Sequence, residues 1–369
     1  MKTRKSHWIF TILMFLATGI IVLCVPGCSK ESTGEDPNPN PPDDTTTNVE
    51  IPAGWSKVGD LNANNMIWSL VTDESGNLYA AGYFTNAGGF NYVAKWNGTS
   101  WSDLGNLKAN SGIFALAVDA ENNVYATGQF TNGITPDGGQ AYVARWNGTA
   151  WSDIGGGGGT FLSSDAVGNI YKGMEKWNGS SWNTLCPLCT LNITSTLALV
   201  SNPSGSVIYA GGNFQHPNGA RYVAACDASN CWNEIGSLNA NGNIEALGLD
   251  SKGNLYAAGD FTNGALPSTG SYFVARWDGS AWSELGNLNA NGDIYFMAVD
   301  PVNDFVYVSG YFHNTNGNSY VAKWDGSSWS DLGNMMLAPA PIHVSAAGKL
   351  YSVVASSNGQ QKFTVVVKD

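Results

Sequence analysis

Few residues in this chain have the types and spacing that chemistry needs. Beyond His7, the histidines His216, His313 and His343 lie in three separate repeats, and none has the spacing of a ligand pair, so no metal or cofactor is expected. No GxSxG, P-loop or HExxH pattern occurs, and the glycine run 155–159 lacks the GK[ST] of a phosphate loop and reads as a connection. Cys186 and Cys189 form a CxxC, while Cys226 and Cys231 flank a short hairpin. In an oxidising compartment, cross-strand cysteines at a hairpin lie within bonding reach, which predicts a Cys226–Cys231 disulfide. Without a βα context for redox chemistry, the CxxC pair is assigned to disulfides too, with a four-thiol zinc site, free thiols or other pairings as the alternatives.

The remaining candidates are residues that differ from repeat to repeat at two fixed positions. One follows the apolar start of the first strand: Trp68, Phe114, Glu245, Tyr295 and His343. The other precedes the Phe after the second strand: Tyr83, Gln129, Asn213, Asp260 and Tyr311. Aromatic faces for stacking, with carboxylates and amides for hydrogen bonding, suit a polar ligand with apolar faces, such as a glycan. Adding His313 from an adjoining loop, the candidate ligand contacts are Trp68, Tyr83, Phe114, Glu245, Asp260, Tyr295, Tyr311, His313 and His343, and none is assigned catalysis. The competing reading is that these side chains only fill an irregular channel mouth.

Such positions require a repeated scaffold. Aligned on the Trp of WSxLG, units start at Trp55, Trp101, Trp151, Trp182, Trp232, Trp282 and Trp329, separated by 46 to 50 residues, with 31 between Trp151 and Trp182. Each unit holds four short runs of β-branched, aromatic and small residues, here termed strands A to D. Asp73–Asn77, Asp165–Asn169 and Asp250–Asn254 place an Asp that can accept turn amides ahead of a Gly, a turn between strands A and B. Asn97-Gly98, Asn147-Gly148, Asn178-Gly179, Asp278-Gly279 and Asp325-Gly326 signal hairpins between C and D. Four strands per unit predict a β-propeller. Residues 55–59 resemble a fourth strand with nothing before it, while the C-terminus offers three runs only. Closure follows if 55–59 completes the last blade, giving an all-β ring of seven four-stranded antiparallel blades, with 151–182 the shortest.

The stretch from Ala117-Val118-Asp119 to Thr127-Gly128, with its counterparts at 71–82, 249–259 and 299–310, resembles the bacterial seven-bladed propeller repeat. The YVAKW-N/D-G-S/T-x-W half is similar to kelch or galactose-oxidase-type blades. That resemblance covers about residues 55–369 and implies a fold, while its families include enzymes, lectins, adhesins and scaffolds. Trp96/Trp101, Trp146/Trp151, Trp177/Trp182, Trp277/Trp282 and Trp324/Trp329 recur in nearly every blade, which assigns them to packing between blades. Variable B–C loops place recognition on the opposite face from the uniform turns.

At the N-terminus a basic start and the apolar run 8–25 precede Val25-Pro26-Gly27-Cys28, which resembles the lipobox of bacterial lipoproteins; a retained anchor helix is the alternative. The resemblance implies a signal peptide over 1–27, lipidation of Cys28, a polar Pro- and acid-rich tether over 28–50, and a propeller over 51–369 held at the membrane of the cell envelope, outer membrane or cell surface. The formal charge of −12 becomes more acidic when Lys2, Arg4 and Lys5 are removed, and no basic cluster appears, so nucleic acid is excluded as a partner. The expected function is recognition of a glycan or envelope protein without catalysis. The alternatives are an assembly scaffold and a propeller-type lyase or oxidoreductase.

Overall fold

A computed structural model describes residues 49–368 except 135–137, 188–190, 192, 194, 228–230, 265–269, 337–338 and 357–361. The expected lipidation site Cys28 and the CxxC residue Cys189 lie outside the described residues. Every described strand belongs to one of seven four-stranded antiparallel sheets, and the described residues include no α-helix. Blades 1 to 6 span 67–103, 113–153, 163–184, 196–234, 244–284 and 294–334. Blade 7 joins Ile342–Val344, Leu350–Ala355 and Phe363–Lys368 to Ser56–Lys57, whose register Ser56↔Val367 closes the ring. The short third blade is complete, with Ser163–Ser164, Ile170–Lys172, Glu175–Trp177 and Trp182–Thr184.

The strands form where the sequence alternates or runs apolar, and the turns hold them in register. In blade 1, Asp73 Oδ1 accepts the Asn77 amide at 2.8 Å, while Oδ2 accepts the Asn77 side chain at 2.7 Å and the Tyr79 hydroxyl at 2.9 Å. Asp119, Asp165 and Asp250 repeat this arrangement. The core lies between blades: Tyr79, Ala81 and Val93 of blade 1 pack with Leu116, Val124 and Phe130 of blade 2. Strand B is Leu-Tyr-Ala-Ala-Gly in blades 1 and 5 and buried throughout, since its two faces meet two neighbours.

The Trp pairs do the packing expected of them. Trp101 Nε1 donates to Val58 O at 2.7 Å, Trp182 to Ile154 O at 3.0 Å, Trp282 to Ile235 O at 2.8 Å and Trp329 to Leu285 O at 2.7 Å, each reaching the preceding blade. The other Trp of a pair covers the glycine after that carbonyl: a Cβ on Gly236 would sit 2.4 Å from the Trp277 ring.

The junction of blades 3 and 4 departs from this pattern and corrects the expected Cys226–Cys231 bond. Cys226 pairs directly with Trp232, so the hairpin is one residue longer than in the other blades and Cys231 does not stand opposite Cys226. The disulfide instead joins Cys226 to Cys186. Leu185-Cys186 stands where Ile235-Gly236 and Leu285-Gly286 stand elsewhere, and Cys186 holds the same left-handed backbone at φ 46°. A glycine–tryptophan contact between blades is thus replaced by a bond between two cysteines.

Candidate functional site

The innermost strand of five blades carries a β-bulge at its entry. Ile67 pairs with Gly82 and Ser69 with Ala81, so Trp68 has no ladder partner. The same irregularity frees Phe114, Leu197, Glu245 and Tyr295. A bulge inserts one residue and re-aims its side chain, here into the central channel. Two adjoining cavities occupy the channel mouth. One, of about 280 Å³, is walled by Thr160, Phe161, Leu197, Glu245, Tyr295 and Phe296 among others; the second, of about 190 Å³, by Trp68, Tyr83, Phe114, Thr160, Tyr295 and Phe296.

The glycine ending strand B makes the bulge possible. A Cβ on Gly82, Gly259 or Gly310 would lie 2.0, 2.0 and 1.9 Å from the backbone carbonyls of Met66, Asn243 and Asp293. The following residue donates its amide to that same carbonyl, at 2.8 Å for Tyr83, 3.2 Å for Asp260 and 2.8 Å for Tyr311. This ties the second set of candidates to the rim above the bulge.

Chemically the mouth has two sectors. Blades 1, 2 and 6 supply aromatics: Tyr295 lies 6.5 Å from Trp68, 5.3 Å from Phe296 and 6.2 Å from Tyr311, and Tyr83 packs edge-on to Phe114 at 5.6 Å. Trp68 Nε1 is buried with no hydrogen-bond partner among the described residues. Blades 5 and 6 supply Glu245, Asp260 and Asp293. Burial, then the repulsion of Asp260, pushes the Glu245 carboxyl up to about 7, opposed by the Asn243 side chain, whose amide donates to Oε1 at 3.4 Å, and reinforced by Asp293. Burial also raises Asp260, opposed by the Asn243 backbone amide, with Asp293 adding to the rise and Arg221 opposing it. Burial, then Asp293 and Asp260, push the Tyr272 hydroxyl up. Arg221 is engaged with Asn213 Oδ1 at 3.2 Å.

Two candidates fall elsewhere. His343 was expected beside Trp68, but strand A of blade 7 lacks the bulge and starts three residues late: Ile342 pairs with Ser352 and Val344 with Leu350. This puts His343 at the level of Val71, near the A–B turns, where Nε2 accepts the Thr72 amide at 3.1 Å and burial pushes its pKa down to about 4. His313 lies on the blade 6 loop, its amide held by Asn291 Oδ1 at 2.8 Å, beside a peripheral groove with Asn287 and Asp331. Neither histidine shares the channel cavities with Glu245. The residues missed from sequence are Asn243 and Asp293, just ahead of strand A. Their signal was available, because that position also varies, as Met66, Gly112, Ser195, Asn243 and Asp293.

Ring, blades and channel define an all-β seven-bladed propeller. A family model described as the Rax2 C-terminal beta propeller domain matches residues 189–344, the run from just before blade 4 into blade 7. No curated protein sequence matches the chain. Among solved structures the chain is similar to the WD40 β-propeller domain of Doa1, at 11% identity over 86% of this chain and 97% of that one, with a TM-score of 0.58. It is similar to YCF48 bound to D1 peptide, at 12% identity over 85% and 94%, TM-score 0.54. It is also similar to a chain of the mitotic checkpoint complex, at 12% identity over 91% and 98%, TM-score 0.55. At such identities these likenesses establish the fold.

Proposed function

We propose that this chain is an envelope-anchored recognition module, tethered through lipidated Cys28, whose channel mouth binds a partner polypeptide without catalysis. The carrying observation is that the bulge and rim positions differ chemically between blades whose packing residues repeat. Shared packing accounts for identical residues at equivalent positions, whereas a ligand of defined shape accounts for different ones. Four of the exposed large apolar side chains, Phe90, Ile134, Tyr295 and Tyr311, belong to this face. YCF48, whose structure holds a D1 peptide, supports a polypeptide partner. The membrane attachment rests on the resemblance of 25–28 to a lipobox.

The test is a pull-down from solubilised envelope, run beside a glycan array, with wild type, Tyr295→Ala and Trp277→Ala. Losing an aromatic contact that the bound partner buries should weaken capture by roughly 5- to 150-fold in Tyr295→Ala. Trp277→Ala should lower the melting temperature instead. Capture that survives Tyr295→Ala, or binding confined to the glycan array, overturns the polypeptide reading. Labelled palmitate that enters Cys28→Ala as readily as wild type overturns the anchor.

A further inference from the structure

The Glu245 side chain lines a cavity whose other walls, Thr160 and Met297 apart, are aromatic or aliphatic. The charged groups acting on it are Asp260 and Asp293, both of its own sign, while Tyr295 stands beside it and Tyr311 lies against Tyr295. Of the nearby cations, Arg221 bonds to Asn213 and acts on Asp260 in the same acidic sector, not on Glu245, and Lys172 pairs with Glu175 at 2.9 Å. A half-buried carboxylate with no counter-charge must either hold a proton or be met by a cation. The apolar walls around this carboxylate, Phe161, Leu197, Leu199, Tyr295 and Phe296 among them, suit a cation carried on an alkyl stem. Aromatic faces at Trp68 and Tyr295 favour the same occupant, because a ring presents its negative face to a cation and its carbon surface to an alkyl stem.

Size and access narrow this further. At about 280 and 190 Å³, the two cavities are small for a whole ligand and suit one inserted side chain. The rim is cut down at blade 3, where Ile170–Lys172 turns through Gly173-Met174 directly into Glu175–Trp177, while other blades carry a B–C loop. Thr160 and Phe161, at the entry to that blade, share the cavity with Glu245.

We propose that the mouth takes the cationic end of a lysine or arginine side chain from an extended partner segment. Glu245 is the counter-charge, and Tyr295, which walls both cavities, flanks the stem, with Trp68 6.5 Å from it. This deepens the polypeptide reading and rests on it.

The experiment uses the full chain in mild detergent and a hexapeptide library in which one position is fixed and the others are mixed. At pH 8, pools with fixed Lys or Arg should be retained on the order of 10- to 100-fold above those with norleucine or Glu, as for a charge-assisted contact in a half-dry site. The preference should collapse in Glu245→Gln and shrink at pH 5.5, where Glu245, flanked by Asp260 and Asp293, is protonated. A melting curve at or above wild type at pH 8 verifies that the variant is folded. Retention without cation preference, or an unchanged preference in Glu245→Gln, overturns the cation site and leaves the polypeptide reading standing. Retention of no pool overturns both.

Discussion

Replacing Glu245 with Gln should stabilise the propeller at pH 8 and leave it unchanged near pH 4. Folding raises the proton affinity of this carboxyl from an ordinary 4.5 to about 7, since burial and two neighbouring carboxylates disfavour its charge. Its favourable contribution is therefore full below pH 4.5 and is lost as pH rises through about 7. The difference amounts to about 3 kcal/mol of penalty on the charged form at pH 8. Gln has nearly the same shape and no charge, so it removes the penalty and keeps the packing. For a unit spanning 46–369 the unfolding entropy is about 0.7 kcal/mol per degree, which converts the penalty into a rise of about 4 to 5 °C in Tm. Differential scanning calorimetry at pH 4, 6 and 8 measures it. A Tm difference between variant and wild type that is the same at every pH would refute the assignment of a buried, uncompensated carboxylate.

His343 carries the opposite sign. Its pKa falls from 6.5 to about 4 on burial, so its contribution is lost as the medium is acidified through that interval, and His343→Leu should flatten acid denaturation followed by circular dichroism. Gly259→Ala forces a Cβ against the Asn243 carbonyl, 2.0 Å away, and should cost more than about 2 kcal/mol in chemical denaturation, while the preceding Ala258→Gly should cost about 1 kcal/mol. Trp282→Phe removes the 2.8 Å bond to Ile235 and should cost about 1 kcal/mol by the same measurement, with peptide binding unchanged. Peptide mapping without reduction should find Cys186 joined to Cys226; closing a loop of 40 residues, the bond should stabilise by about 4 kcal/mol, read as a fall in Tm on adding dithiothreitol.

The repeat made the fold legible, because each turn signal occurs at the same place in successive units and local errors average out. Single departures were harder. The expected Cys226–Cys231 bond treated the hairpin loop as its neighbours', although it is one residue longer, which puts Trp232 and not Cys231 opposite Cys226. The correct pair was readable: Cys186 takes the place of a glycine that elsewhere lies under the Trp that Cys226 replaces. His343 was misplaced by counting from the apolar start of the strand, whereas the turn Ser345–Lys349 fixes the register. The bulge itself was invisible to alternation, which reads an extra residue as a change of face.

These departures follow one physical distinction. An interface position is seen by two blades at once, so a change on one side requires a matching change on the other, as the exchange of Gly and Trp for Cys186 and Cys226 illustrates. A bulge residue has no cross-strand partner, and its strand is held by neighbours such as Ile244↔Gly259 and Ala246↔Ala258. Trp, Phe, Leu, Glu and Tyr can all occupy it without altering the ladder. Glu245 is therefore free to be a poor choice for stability, and its cost falls on the channel mouth alone. A residue that burial penalises, at a position where packing would accept any of several others, is what a site shaped by a ligand contains.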